Sequence, residues 1–149
     1  MWRTAAGVAL VAGLASCGST NEDGSAAAGP LGQQLLMTPE VQVATRQGVD
    51  ACIDALQAGA PLSVLATDGF VSWRGGYRRA IDNPLIFAGD SAVAVRFDGR
   101  DCRVRTGPIY PVEVQTLRSI TGEALQQRGQ GIGDVSFRRS SDSYEIILR

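Results

Sequence analysis

The sequence contains no histidine, and all 14 of its basic residues are arginines, so lysine is absent as well. Without histidine, the chain cannot form a Ser-His-Asp or Cys-His nucleophile system, and it cannot bind zinc through imidazole. Without lysine, it cannot form a Schiff base, a Ser-Lys dyad or a Walker-type phosphate loop. These absences exclude many common hydrolase and nucleotide-binding chemistries, and no cofactor is predicted.

The sequence also has little net charge, a formal −1 over 149 residues. A domain that tracks nucleic-acid phosphates normally carries a clear basic excess, so no nucleic-acid partner is predicted. The acidic residues are scattered and form no Asp-rich loop of the calcium-binding kind, so no metal site is predicted. With 44% hydrophobic and 19% charged residues, the composition is typical of one ordinary globular domain.

Residues 1–16 have the pattern of an export signal. Arg3 supplies a positive charge, and the apolar run AAGVALVAGL at residues 5–14 has the length of a signal-peptide core, well short of the roughly 20 residues that span a bilayer. The segment LASC at residues 14–17 resembles the lipobox of bacterial lipoproteins. This resemblance implies cleavage before Cys17 and the attachment of lipid, such as palmitate, to that cysteine.

The lipoprotein resemblance also implies a location in the bacterial cell envelope, with the membrane as a partner through the lipid anchor. Gly18 stands where an inner-membrane retention signal has aspartate, which implies sorting to the outer membrane, facing the periplasm. The alternative is an ordinary signal peptide that leaves a cysteine near its cleavage site. Residues 17–34 are rich in Gly, Ser and Ala and predict a flexible tether with a span of roughly 20–25 Å. Residues 35–149 are predicted to form a single domain.

Cys52 and Cys102 remain as an even pair in an exported chain, and an oxidising compartment favours a disulfide between them. Cys52 lies on the apolar stripe of a predicted helix, and strand alternation directs Cys102 into the core. The bond would close a loop of roughly 50 residues and stabilise the fold by about 4 kcal/mol. Two separate buried thiols, or one reactive thiol, are the alternatives.

The order of helical and strand patterns predicts an α+β domain, with a mainly antiparallel sheet of about five or six strands and two main helices packed on one face. The first main helix is predicted to begin after an N-cap at Thr38 and to continue to Gln57. The second is predicted to begin at Pro111 and to end near Gly129.

Two hairpins are predicted in the second half of the chain. A two-residue turn at residues 98–99 would set Arg96 opposite Asp101, and another hairpin is predicted around residues 140–143. On the polar face of the first hairpin, Arg96, Arg103 and Arg105 either extend a positive patch or form cross-strand ion pairs. Ion pairs with Asp98 and Asp101 are the favoured interpretation, worth under about 1 kcal/mol each when exposed.

A candidate ligand patch lies in the stretch WRGGYRR at residues 73–79, where two aromatic residues and three arginines surround a glycine pair. Arginine forks bind carboxylate or phosphate at two points, aromatic faces stack, and glycine lets backbone amides approach a ligand. The alternative is a hairpin with a Gly-Gly turn, in which the aromatic residues pack and the arginines are solvated. The patch consists of Trp73, Arg74, Tyr77, Arg78 and Arg79.

An anchor, a tether and a disulfide-braced domain without recognisable catalytic groups favour a noncatalytic binding or assembly module of the envelope. Its expected partner is another envelope protein, a wall polymer or lipid. A small hydrolase is the alternative, because glycoside cleavage needs only two acids at a suitable separation, and Asp82 and Asp90 are the candidates. An inhibitor of a wall-degrading enzyme is a third hypothesis, which belongs to the binding class.

Overall fold

The computed structural model describes residues 37–82, 90–109 and 113–149. The predicted signal peptide, Cys17 and the tether lie outside these residues. The described elements confirm the predicted α+β class, with six antiparallel strands in one open sheet and two main helices. In chain order they are helix α1 (Pro39–Ala58), a short 3-10 helix (Leu62–Asp68), strands β1 (Val71–Trp73), β2 (Gly76–Asp82), β3 (Asp90–Phe97) and β4 (Cys102–Gly107), helix α2 (Val114–Arg128), and strands β5 (Val135–Ser140) and β6 (Ser143–Leu148).

The six strands form a sheet in the order β1-β2-β3-β4-β6-β5, and every neighbouring pair is antiparallel. Helix α1 packs on β3 and β4, and α2 packs on α1. The Arg118 guanidinium of α2 lies 5.4 Å from the ring centroid of Phe137, a β5 residue on the same face of the sheet. Both main helices therefore lie on one face. None of the described helices is long and apolar enough to cross a membrane.

Helix α1 begins directly after Thr38, as predicted, and ends at Ala58, one residue beyond the predicted Gln57; both of its ends are capped. The Oγ1 of Thr38 accepts a hydrogen bond from the backbone N–H of Val41 at 3.4 Å, and Pro39 occupies the first helical position, where its missing N–H costs nothing. Gly59 ends the helix in the left-handed region (φ 64°), and its N–H donates to the carbonyl of Ala55. The predicted start of the second helix, Pro111, lies outside the described residues.

Helix α1 approaches the sheet closely at a buried glycine. A Cβ at Gly48 would lie 2.9 Å from Val95 Cγ2 and 3.1 Å from Val104 Cγ1, which is closer than packed carbon atoms tolerate. The helical penalty of glycine is about 1 kcal/mol. This cost is offset because the missing side chain lets the helix backbone lie directly on β3 and β4.

The predicted disulfide is confirmed. Cys52 of α1 is bonded to Cys102, the first residue of β4, and both side chains are fully buried in the core between helix and sheet. The hydroxyl groups of Thr45 and Thr106, 3.0 Å apart, form a second and polar link between the same two elements. Helix α1 and the central strand β4 are thus joined by a covalent bond and a buried hydrogen bond.

The register of the β3–β4 hairpin differs from the prediction. Arg96 lies opposite Arg103, not opposite Asp101, because the loop contains four residues instead of two. The Asp98 carboxylate closes this longer loop by accepting hydrogen bonds from the backbone N–H groups of Arg100, at 3.0 Å, and Asp101, at 2.8 Å. The register changes by two residues, so each side chain keeps its predicted face and Cys102 still points into the core.

The last hairpin confirms the prediction. Strands β5 and β6 are joined by a two-residue turn at residues 141–142, with Ser140 paired to Ser143. Phe137 lies opposite Ile146 on the face that the helices cover. This arrangement leaves the turn at one end of the sheet, beside the end of β4.

Candidate functional site

The face of the sheet opposite the two main helices, called here the open face, is covered by none of the described helices. Alternation along each strand decides which residues it carries. On β3 these are Ala92, Ala94 and Arg96, and on β4 they are Arg103 and Arg105. The open face therefore combines short apolar side chains with long cationic ones.

A concavity of about 470 Å³ lies on the open face. Its floor is low because Ala92, Ala94 and Gly107 have little or no side chain, and a Cβ at Gly107 would overlap Ser143. We call this concavity the arginine groove. It is lined by five arginines, Arg74, Arg78, Arg96, Arg103 and Arg105, and by three acids, Asp90, Asp142 and Glu145.

The β1–β2 hairpin places an exposed tryptophan at one side of the groove. Its turn is formed by Arg74 and Gly75, both at positive φ, and Trp73 lies opposite Gly76. The Trp73 side chain is 38% exposed, and the guanidinium carbons of Arg74 and Arg78 lie 4.8 and 5.9 Å from its ring centroid. These cation–π contacts orient both guanidinium groups at the mouth of the groove.

Strand alternation divides the ligand patch of the sequence analysis between the two faces of the sheet. Trp73, Arg74 and Arg78 line the arginine groove. Tyr77 is half-buried and packs against the core on the helix side. The Arg79 guanidinium is also on that side, where it donates a hydrogen bond to Gln47 Oε1 of α1 at 3.2 Å. Three of the five residues therefore share one surface.

Two arginines of the helices have acidic partners. Arg46 forms an ion pair with Asp50 at 3.1 Å, and Arg128 forms one with Asp54 at 2.6 Å. The first ion pair lies within α1, and the second joins α2 to α1. The guanidinium groups of Arg46 and Arg128 therefore have much of their hydrogen-bonding capacity engaged.

Arginines inside the groove are engaged less completely. Within the described parts of the chain, Arg96 has neither a hydrogen bond nor an ion pair, and Arg105 donates only to Ser143 Oγ, at 3.0 Å. Arg103 forms the predicted ion pairs with Asp101, at 3.4 Å, and Asp98, at 3.8 Å. Even so, its buried Nε has no hydrogen-bond partner there. The groove thus presents donors that can bind an added anion.

Apart from Glu145, which lies opposite Arg105 and forms an ion pair with Arg138 at 2.7 Å, the charges of opposite sign lie at opposite ends of the groove. Arg96 and Arg103 lie near the β3–β4 loop, and Arg78 and Arg105 follow one pair of rungs further along the ladder. Asp90 begins β3 at the other end. The second acid there is Asp142, in the β5–β6 turn.

The register also brings together the two acids proposed for a hydrolase. Asp82 and Asp90 lie directly opposite each other at the ends of β2 and β3, and both are exposed. Asp90 lines the arginine groove. Among the described residues, no group of three or more acids, cysteines or histidines could hold a metal ion.

The loop beside the cationic end has its own electrostatic arrangement. Backbone hydrogen bonds from Asp101 and Arg100 lower the pKa of Asp98 below its ordinary value of 3.8, with a further contribution from the charge of Arg103. The side chain of Arg149 donates to Asp101 and Asp134, which raises its pKa further. The carboxylates at this end therefore hold the loop and Arg149, and they leave Arg96 unneutralised.

Comparison with protein-family models, with curated proteins and with solved structures finds no match to this chain. Function is therefore inferred from the residues themselves.

Proposed function

We propose that this chain is a lipid-anchored, noncatalytic binding module of the bacterial envelope, and that the arginine groove is its binding surface. One observation carries the proposal: guanidinium groups without acidic partners in the described residues, those of Arg78 and Arg96, border a concavity of about 470 Å³ on the open face. Concavities of this size accommodate ligands. Unpaired guanidinium groups keep their two-point hydrogen bonding for an incoming anion.

The anchor is part of the same proposal and is supported by the lipobox resemblance at residues 14–17. Lipid on Cys17 would hold the protein at a membrane, because each buried methylene contributes about 0.8 kcal/mol. Gly18, in place of the aspartate of an inner-membrane retention signal, favours the outer membrane, facing the periplasm. The tether would place the domain within reach of a wall polymer or of another envelope protein. The confirmed disulfide is compatible with an oxidising compartment.

Two comparisons in one experiment test the anchor and the groove separately. The full chain is expressed in a Gram-negative host, and its intact mass and membrane fractionation are compared with those of Cys17→Ser. Acyl mass and sedimentation with membranes are expected only for the parent. An unmodified Cys17 in a soluble parent protein would overturn the anchor.

The Cys17→Ser chain then reports binding without the lipid. It is mixed with purified envelope fragments and sedimented, with and without Arg96→Gln. The groove substitution is expected to weaken retention severalfold. Arg100→Gln, which removes the same charge from an exposed loop residue outside the groove, is the matched control and should leave retention unchanged. Equal retention of all three chains would overturn the proposed binding surface.

A carboxylate-dependent hydrolase is the second candidate, because the register places Asp82 opposite Asp90. Retaining glycosidases hold their two carboxyl groups about 5–5.5 Å apart, and one of the two must be protonated. Both aspartates are exposed, which provides none of the burial that favours a protonated acid. Release of soluble fragments from purified wall that is abolished by Asp82→Asn would establish the hydrolase in place of the module.

An inhibitor of a wall-degrading enzyme would use the same groove as a protein-binding surface. Inhibition of lysozyme by the Cys17→Ser chain, lost with Arg96→Gln, would identify the partner as that enzyme. Undiminished lysozyme activity would leave the wall polymer or another envelope protein as the proposed partner.

A further inference from the structure

We infer that the arginine groove binds an extended zwitterionic peptide, of the kind that stem peptides of wall peptidoglycan provide, with the ligand carboxylate at Arg96 and its amine at Asp90. This inference rests on the proposed function and names its ligand. The observation behind it is the separation of charge along the groove.

The cationic end is built to receive a carboxylate. Arg96 has no acidic partner in the described residues, and it lies opposite Arg103 on the open face. A carboxylate accepts two parallel N–H bonds from one guanidinium and can share a second. Two further guanidinium groups, those of Arg74 and Arg78, lie against the Trp73 ring at the side of the groove.

The acidic end is suited to an ammonium group. Neither Asp90 nor Asp142 forms an ion pair within the described residues, although both line the groove. An ammonium group has three donors and needs only acceptors around it. The same two acids disfavour a purely anionic polymer, because its charges would be repelled along half of the groove.

The length of the groove fits a short extended peptide. Asp90 and Arg96 are six positions apart along β3, which corresponds to about 20 Å along a strand at about 3.3 Å per residue. The arginine side chain shortens the distance that the ligand must span. The floor of Ala92, Ala94 and Gly107 leaves room for a peptide backbone lying along the strands.

The probe is a purified muropeptide, a disaccharide carrying a tetrapeptide with free carboxylates and one free amine. Its binding to the full-length Cys17→Ser chain is measured by calorimetry at low salt. Two chemically modified forms are compared with it: one with the amine acetylated and one with the carboxylates amidated. Each modification is expected to weaken binding about tenfold, the size of one lost charge-assisted hydrogen bond.

Variants then test the orientation of the ligand. The Arg96→Gln protein should bind the unmodified muropeptide more weakly than the parent does. Amidation of the muropeptide carboxylates should not weaken its binding further, whereas acetylation of the amine still should. Asp90→Asn should show the opposite pattern. Arg100→Gln is the control and should behave as the parent, and circular dichroism of each variant checks that it is folded.

The outcomes separate this inference from the proposed function. No binding of the muropeptide, while retention on envelope fragments still depends on Arg96, would overturn the peptide ligand and leave the binding module intact. If neither the muropeptide nor the fragments depend on Arg96, both fail. If binding to one variant were insensitive to both amidation and acetylation of the muropeptide, the proposed orientation would be overturned. If the parent bound an inorganic polyphosphate as tightly as the muropeptide, the groove would select negative charge alone, and the zwitterionic ligand would be overturned.

Discussion

Arg96 and Arg103 lie directly opposite each other on the open face of the sheet, as cross-strand neighbours of like charge. Such pairs destabilise a sheet relative to neutral pairs. Arg103 forms ion pairs with Asp98, at 3.8 Å, and Asp101, at 3.4 Å, whereas Arg96 forms none within the described residues. The pair is therefore an unfavourable element of the free protein that an anion bound between the two guanidinium groups would relieve.

This repulsion predicts that Arg96→Gln raises the free energy of unfolding, by about 0.2–1 kcal/mol at low ionic strength. The gain should shrink at high salt, because screening weakens the repulsion in the parent protein. Urea denaturation at low and high salt measures both effects, with Arg100→Gln as the charge-matched control. A gain of the same size at both salt concentrations would contradict the electrostatic explanation.

Two glycines in helices should respond to alanine in opposite directions. Gly48→Ala is expected to destabilise the protein by about 1–3 kcal/mol, because the new methyl group would overlap Val95 and Val104. Gly122→Ala in α2, where nothing lies within 4 Å of an added Cβ, should stabilise it by up to about 1 kcal/mol. Chemical denaturation of the two variants gives the comparison, and a stabilising Gly48→Ala would refute the close approach of α1.

The disulfide should contribute strongly to stability. Replacing both Cys52 and Cys102 by alanine is expected to lower the free energy of unfolding by about 2–5 kcal/mol. Denaturation under nonreducing conditions measures the loss. A reductant should destabilise the parent protein and leave the double variant unchanged, and a reductant effect of equal size on both would show that the bond is not its target.

The Asp98 carboxylate predicts a specific acid dependence. Because the folded state lowers its pKa below 3.8, its stabilising effect is fully present above that value and is lost as the pH falls further, through the folded pKa. The stability difference between the parent and Asp98→Asn should therefore be constant above about pH 5 and shrink below about pH 4. Thermal unfolding from pH 2 to pH 7 tests this, and a difference that grows on acidification would be inconsistent with it.

Local sequence patterns predicted the structure correctly where short-range interactions determine it. Helix α1 was predicted to begin after an N-cap at Thr38, and the hydroxyl of this residue has the expected cap function. The β3–β4 loop was not predicted correctly, because the residues at positions 98–101 are compatible both with a two-residue turn at 98–99 and with a four-residue loop. The difference comes from hydrogen bonds of the Asp98 side chain, which turn statistics do not contain.

The same register error concealed the groove. With Arg96 placed opposite Asp101, the open face had balanced charges, whereas the actual partner is Arg103. The stretch at residues 73–79 was treated as one surface, although the period of two along β2 already separates Arg78 from Tyr77. Applying that period to β2 would have predicted this separation, but the pairing of Arg96 required the structure.

The disulfide between α1 and β4 also fixes how the domain would carry a mechanical load. With the proposed lipid on Cys17 and the proposed ligand in the groove, the protein would be pulled from two sides. The shortest covalent route between them enters α1 at Pro39, crosses from Cys52 to Cys102, and reaches Arg103 one residue later. Tension between the proposed lipid anchor and a ligand held at Arg96 and Asp90 would therefore pass from β4 to β3 through the ladder that joins them, and it would bypass the chain segment between Cys52 and the start of β3.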